Sequence, residues 1–153
     1  MTDRHAIVDS LLTERTVDIV TTGRRSGQPR TTEIWITVID GEPLICGSPN
    51  AGRADVEHQP RDWMANLRAK PALVIRLKAG VAADLPATAT PVTDRDERHR
   101  ILSAPPTAYY REALTFDAAL DHSPIVRITF IGDAAWLNDT LAASGASSAV
   151  AGG

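Results

Sequence analysis

Residues 17–48 read VDIVTTGRRSGQPRTTEIWITVIDGEPLICGS, and the punctuation of this stretch decides the fold. The run 17–22 (VDIVTT) is rich in β-branched side chains and predicts a strand. Gly23 opens a polar break, GRRSGQP, that reads as a turn. Residues 30–39 (RTTEIWITVI) predict a second strand, and Asp40-Gly41 is a strong signal for a two-residue hairpin. Residues 43–48 (PLICGS) predict the returning strand. Strands that arrive as hairpin neighbours, rather than alternating with helices, favour an antiparallel sheet or barrel over a doubly wound parallel sheet.

The flanks extend this pattern. Residues 4–15 place Ile7, Val8, Leu11 and Leu12 at helical spacing and predict a short amphipathic helix. Residues 49–61 show no periodicity and read as a loop. A helix over 61–69 ends before Lys70-Pro71, because the residue preceding proline disfavours the α region. Strands follow at 72–78 (ALVIRLK) and, after Ala79-Gly80, along the alternating stretch 81–92. Thr93 is positioned to cap a helix whose first turn carries Asp94, Asp96 and Glu97. Pro105-Pro106 breaks that helix, a further helical stretch is expected at about 107–120, and 124–131 (PIVRITFI) reads as the last strand. The small, polar residues 141–153 (LAASGASSAVAGG) read as a disordered tail. The expectation is one domain over 1–140, with about six strands and three or four helices.

Composition narrows the function. The 153 residues have ordinary globular proportions, 43% apolar and 23% charged. No run approaches the length of a membrane span, and residues 1–15 lack the apolar core of a secretory signal. The single cysteine, Cys46, excludes an internal disulfide and a multi-cysteine metal cluster. A cytoplasmic protein is expected. The net charge of −3 conceals an asymmetry: residues 24–78 hold nine Arg or Lys against six Asp or Glu, and the remainder holds seven against thirteen. A localised anion site fits this distribution better than a nucleic-acid surface, which usually requires a basic domain, and a chance fluctuation of surface charge is the competing reading.

Side-chain catalysts are sparse. The four histidines, at 5, 58, 99 and 122, match no metal spacing. Ser26 lies in GRRSG, which is neither a nucleophile elbow nor a P-loop. Cys46 falls in a predicted strand and reads as a small apolar residue. If the protein is an enzyme, the difficult chemistry is expected to reside in a bound cofactor. The segment Gly23-Arg24-Arg25-Ser26-Gly27-Gln28-Pro29-Arg30 suits its acidic arm: guanidinium groups donate paired hydrogen bonds to phosphate, and Ser26 with turn amides can complete a cradle. A solvated hairpin turn is the competing reading. Trp35 lies five residues beyond Arg30 on the same strand, so an anion at the turn and a flat ring near Trp35 can belong to one ligand. Trp63 begins the helix after the 49–61 loop. For each tryptophan, burial in the core is the alternative.

These segments together resemble the deazaflavin-dependent nitroreductase family, within the split β-barrel flavin and deazaflavin oxidoreductases. The matching pieces are TTGRRSGQPRTTEIW (21–35), the Asp-Gly hairpin with its strand ending at Ser48, and WMANLRAKP (63–71), in the family's order and at about its spacing. The resemblance implies an α+β, mainly β, split barrel with peripheral helices that binds coenzyme F420. It implies hydride transfer from the reduced coenzyme to a quinone, enone or nitro compound. Carried over by position, Arg24, Arg25, Ser26, Gly27 and Arg30 hold the phosphate, Trp35 lies by the ring system, Ser48 meets the deazaflavin edge and Trp63 stands at the ring or substrate side. Tyr109, with Tyr110 beside it, lines the substrate pocket and is the candidate proton donor. No metal ligand is implied. An FMN-dependent oxidoreductase of the same superfamily and a non-catalytic F420 carrier are the alternatives. The expected partner is a small-molecule acceptor, with neither nucleic acid nor a membrane span, and the expected assembly is a monomer or homodimer.

Overall fold

The computed structural model describes residues 3–47, 62–107, 120 and 123–148. Alternation sets the first strand, β1 (Thr16–Thr22): Val17, Ile19 and Thr21 are buried while the residues between them are half-exposed. It pairs antiparallel with β2 (Pro29–Ile39) from Thr22↔Pro29 to Thr16↔Trp35. Asp40 and Gly41 both take positive φ, 48° and 81°. A two-residue turn matching strand twist demands this geometry, and it delivers β3 (Glu42–Cys46) back onto β2 at Ile39↔Glu42.

Three further strands, β4 (Ala72–Leu77), β5 (Ala83–Pro91) and β6 (Ile125–Phe130), complete a closed antiparallel barrel in the order β1-β2-β3-β6-β5-β4. Closure leaves unpaired ladder positions only where one strand outruns its neighbour, and the interior of a six-stranded barrel is narrow enough for side chains to fill. Ile19, Ile36, Ile45, Ile75 and Phe130 fill it here. Helix α1 (Arg4–Thr13), capped by the Asp3 carboxylate on the His5 N–H, adds Ile7 and Leu11 to this core. Helix α2 (Asp62–Ala69) adds Trp63, Met64 and Leu67.

A second core lies outside the barrel wall, where α3 (Arg95–Ser103) sets Ile101 and Leu102 against Ile39, Leu44, Cys46 and Ile125. This explains why the four residues from Ile36 to Ile39 are all buried: alternate residues face the barrel interior and the α3 layer. The α3 cap is Asp94, whose carboxylate accepts the Glu97 N–H at 2.9 Å; the expected cap, Thr93, lies one residue too early. Arg98 fastens α3 to the wall by donating to the carbonyls of Val92, Leu120 and Ser123. Of the helical stretch expected at 107–120, Thr107 lies in a 3-10 turn (Pro105–Thr107), and most of the rest lies outside the described residues.

The C-terminal expectation fails over 141–148. A fourth helix, α4 (Trp136–Ser144), buries Leu137 and Leu141 in the barrel core and ends on left-handed Gly145. Beyond it, Ala146 O accepts the Gly41 N–H at 2.8 Å. Ser148 both donates its N–H to Val38 O and accepts the Val38 N–H on its hydroxyl, at 2.8 and 2.7 Å. The physical reason is an edge. The β1 ladder stops at Thr16↔Trp35, so beyond it β2 would present unpaired backbone groups. Arg15 O takes the Ile36 N–H, and residues 146–148 serve the remainder. Residues 149–153 lie outside the described residues.

Candidate functional site

The Gly23–Arg30 turn is organised by its own backbone. Gly23 N–H donates to Gln28 O at 2.8 Å, Gly27 N–H to Gly23 O at 2.9 Å, and Gln28 N–H to Ser26 Oγ at 3.2 Å. Gly27 takes φ of +69°, the left-handed region in which glycine is unstrained. At Gly23 the demand is space: a Cβ would lie 2.5 Å from Ser26 Oγ and 3.3 Å from Gln28 O. Both glycines serve a closed loop whose arginines are exposed. Among the described residues, Arg25 and Arg30 form no side-chain hydrogen bond or ion pair, so their guanidinium donors are available to an external anion.

Arg24 behaves differently. Its backbone N–H and its Nη1 both donate to Oδ1 of Asn66, at 3.0 and 3.4 Å, which draws it toward α2. Asn66 is buried and also donates from Nδ2 to Thr21 Oγ1 at 3.4 Å. Sequence reasoning quoted Asn66 within the WMANLRAKP segment without giving it a role. The available signal was a polar residue on the helical face that carries Trp63 and Leu67.

The register qualifies the expected link between the turn and Trp35. Arg30 pairs with buried Thr21, and Trp35 pairs with Thr16. Five residues is an odd offset, so the two side chains project from opposite faces of β2, roughly 17 Å apart along the strand. What they share is an edge. From Pro29 to Trp35 the ladder partner of β2 is β1, while pairing with β3 begins only at Ile36. An extended ligand lying along that margin would run from the turn to the indole.

Trp35 is 40% exposed, a large apolar group at the surface. The Arg15 guanidinium carbon sits 5.0 Å from its ring centroid, a cation–π contact, and Arg15 Nη2 donates to Thr37 Oγ1 at 2.6 Å. Arg15, nearly buried, is a second residue that sequence reading passed over; its signal was a cation directly before the first strand. Trp63, in contrast, is a core side chain with 6% exposure. It packs so closely on Gly47 that a Cβ there would lie 2.9 Å from its Cζ2. Ser48, Tyr109 and Tyr110 lie outside the described residues.

Cys46 is no nucleophile. Burial pushes its thiol up to about 12, against the opposing pull of Arg98 and Arg15, so it stays protonated at neutral pH. Among the described residues no group of three His, Cys, Asp or Glu is disposed to hold a metal, and no helix is long and apolar enough to cross a membrane.

A closed six-stranded antiparallel barrel flanked by helices, carrying an arginine-bearing turn and an exposed indole on β2, has the split-barrel architecture. Solved structures share the fold. A Bacteroides thetaiotaomicron protein named for 5-nitroimidazole antibiotic resistance superposes with a TM-score of 0.63 at 12% identity, covering 86% of this chain and 82% of its own. A Clostridium acetobutylicum protein of the pyridoxinephosphate oxidase family gives 0.59 at 14%, covering 85% and 86%. A conserved hypothetical protein from Mycobacterium tuberculosis gives 0.58 at 23%, covering 86% and 82%. No curated protein matches the sequence. The family described as F420H(2)-dependent quinone reductase matches residues 5–116, and the chain belongs to it. It is an oxidoreductase that depends on F420.

The turn fits that coenzyme. F420 carries a phosphodiester and a polyglutamate tail, and the Gly23–Arg30 loop offers guanidinium groups and a hydroxyl on a backbone already satisfied by its own hydrogen bonds. Trp35, 40% exposed, puts part of an apolar indole at the surface on the same strand.

Proposed function

We propose that the protein reduces a small organic acceptor, a quinone in the first instance, with reduced F420 seated along the β2 margin. When bound, reduced F420 supplies a hydride from the carbon at the centre of its ring. The protein's task is to hold donor and acceptor together and keep water away. Arg25 and Arg30 grip the phosphate and Ser26 adds a hydroxyl, while Arg24 contributes charge from its place beside Asn66. Trp35, steadied by Arg15 over its ring, supports the planar head, and Ser48 meets its edge. Tyr109 is the proton donor to the acceptor oxygen on which negative charge develops, with Tyr110 the neighbouring candidate.

The observation that carries this reading is the self-closed turn with two available guanidinium groups at the head of an edge that ends in an exposed indole. The test is anaerobic single turnover of the protein loaded with reduced F420, mixed with a soluble quinone. Oxidation of one coenzyme per quinone consumed is expected, and Tyr109→Phe should slow the transfer while leaving coenzyme affinity unchanged. Binding of F420 without oxidation by any quinone, enone or nitro compound would make the protein a carrier. Tight binding of FMN alone would move it to the flavin branch.

A further inference from the structure

Asn66 stands at a junction of three elements. Its carboxamide is buried on α2, its Oδ1 receives both the backbone N–H and Nη1 of Arg24, and its Nδ2 donates to Thr21 in β1. The turn's internal hydrogen bonds close it from Gly23 to Gln28 but do not aim it. The bond from Arg24 N–H to Asn66 ties the loop laterally to a helix whose Trp63, Met64 and Leu67 are set in the core.

From this arrangement we infer that Asn66 is a positioning residue for the phosphate grip. It fixes the peptide of Arg24, and with it the direction in which Arg25, Ser26 and Arg30 present their donors. It also holds the Arg24 guanidinium near α2, as a charge beside the turn rather than a swinging arm. The inference rests on the reading that the turn receives the phosphodiester of F420. Asn66 need not touch the coenzyme; it acts through Arg24.

The probes are F420 and the deazaflavin fragment lacking the phosphate arm, with affinities followed by tryptophan fluorescence on the full chain. Wild-type protein should bind F420 much more tightly than the fragment. Asn66→Ala should weaken F420 roughly tenfold, the effect of one lost charge-assisted contact, and leave the fragment's affinity unchanged. In single turnover it should raise the coenzyme concentration for half-maximal rate without altering the maximal rate. Asn66→Asp keeps an acceptor for the Arg24 N–H and for its guanidinium, so it should hold the turn while partly neutralising the nearby cation. Its F420 affinity should therefore respond less steeply to salt than that of wild type. Equal losses for F420 and fragment in Asn66→Ala, or unchanged F420 affinity, overturn the inference. If wild type binds both probes equally, it is the phosphate-grip reading itself that fails. Should Asn66→Ala not fold, Asn66→Asp and the wild-type probe pair still decide: a salt slope identical to wild type rejects the role.

Discussion

Replacing Arg25 and Arg30 by alanine, singly and together, isolates the electrostatic part of coenzyme binding. Both side chains are exposed and make no ion pair among the described residues, so their loss strands no buried partner, and stability should change by no more than about 0.5 kcal/mol. A charge-assisted hydrogen bond to phosphate contributes about 1.5–3 kcal/mol in favourable settings. Exposure places these two at the lower end, near 1.4 kcal/mol each, or about tenfold in Kd per arginine. If both grip one phosphate, as proposed, their losses should couple, and the double variant should fall about 30-fold rather than the full product of about 100-fold. Calorimetric titration with F420 at low ionic strength measures this directly. At about 1 M salt the screening length shrinks to about 3 Å, and wild type and double variant should converge. The fragment without its phosphate arm should bind all four proteins alike. If the double variant binds F420 within twofold of wild type at low salt, the turn is a solvated hairpin and the phosphate lies elsewhere.

Trp35→Leu should remove most of the F420-dependent change in tryptophan fluorescence. At 40% exposure the lost indole and its cation–π contact with Arg15 should lower stability by about 1 kcal/mol at most, read by urea denaturation. Cys46 should resist alkylation in the folded protein at pH 8 and react on unfolding. Its folded value of about 12 lies above the value of the unfolded chain, so the native state retains a proton that the unfolded state loses. Stability from this source is complete below about pH 8 and falls as pH climbs toward 12, a loss that Cys46→Ala should abolish in alkaline unfolding curves. Ending the chain after Gly145 removes the residues that serve Val38, Asp40 and Gly41. It should lower stability by roughly 2–4 kcal/mol, counting about 1 kcal/mol per lost hydrogen bond, whereas a dispensable tail would show no change in Tm.

The barrel was legible because its signals are local. Alternation in VDIVTT, the Asp-Gly turn and β-branched runs each specify a strand or a reversal without help from the rest of the chain. The arginine turn was legible for the same reason: eight consecutive residues carry it. What escaped depends on distant partners. Leu137 and Leu141 look unremarkable among alanines and serines until the barrel supplies their core, and Ser148 has meaning only because β1 stops short of Val38. Asn66 and Arg15 act on residues 42 and 22 positions away, beyond any local pattern. The link between Arg30 and Trp35 was seen as proximity on one strand. The odd spacing, countable in the sequence, already placed them on opposite faces, and only the edge they share restores the connection.

The most direct measurement is a crystal structure of the protein with F420 bound. The account predicts phosphodiester oxygens within hydrogen-bond reach of the Arg25 and Arg30 guanidinium groups and the tricyclic head beside Trp35 along the Pro29–Trp35 margin of β2. Coenzyme seated at another face of the barrel, with both arginines turned to water, would contradict it.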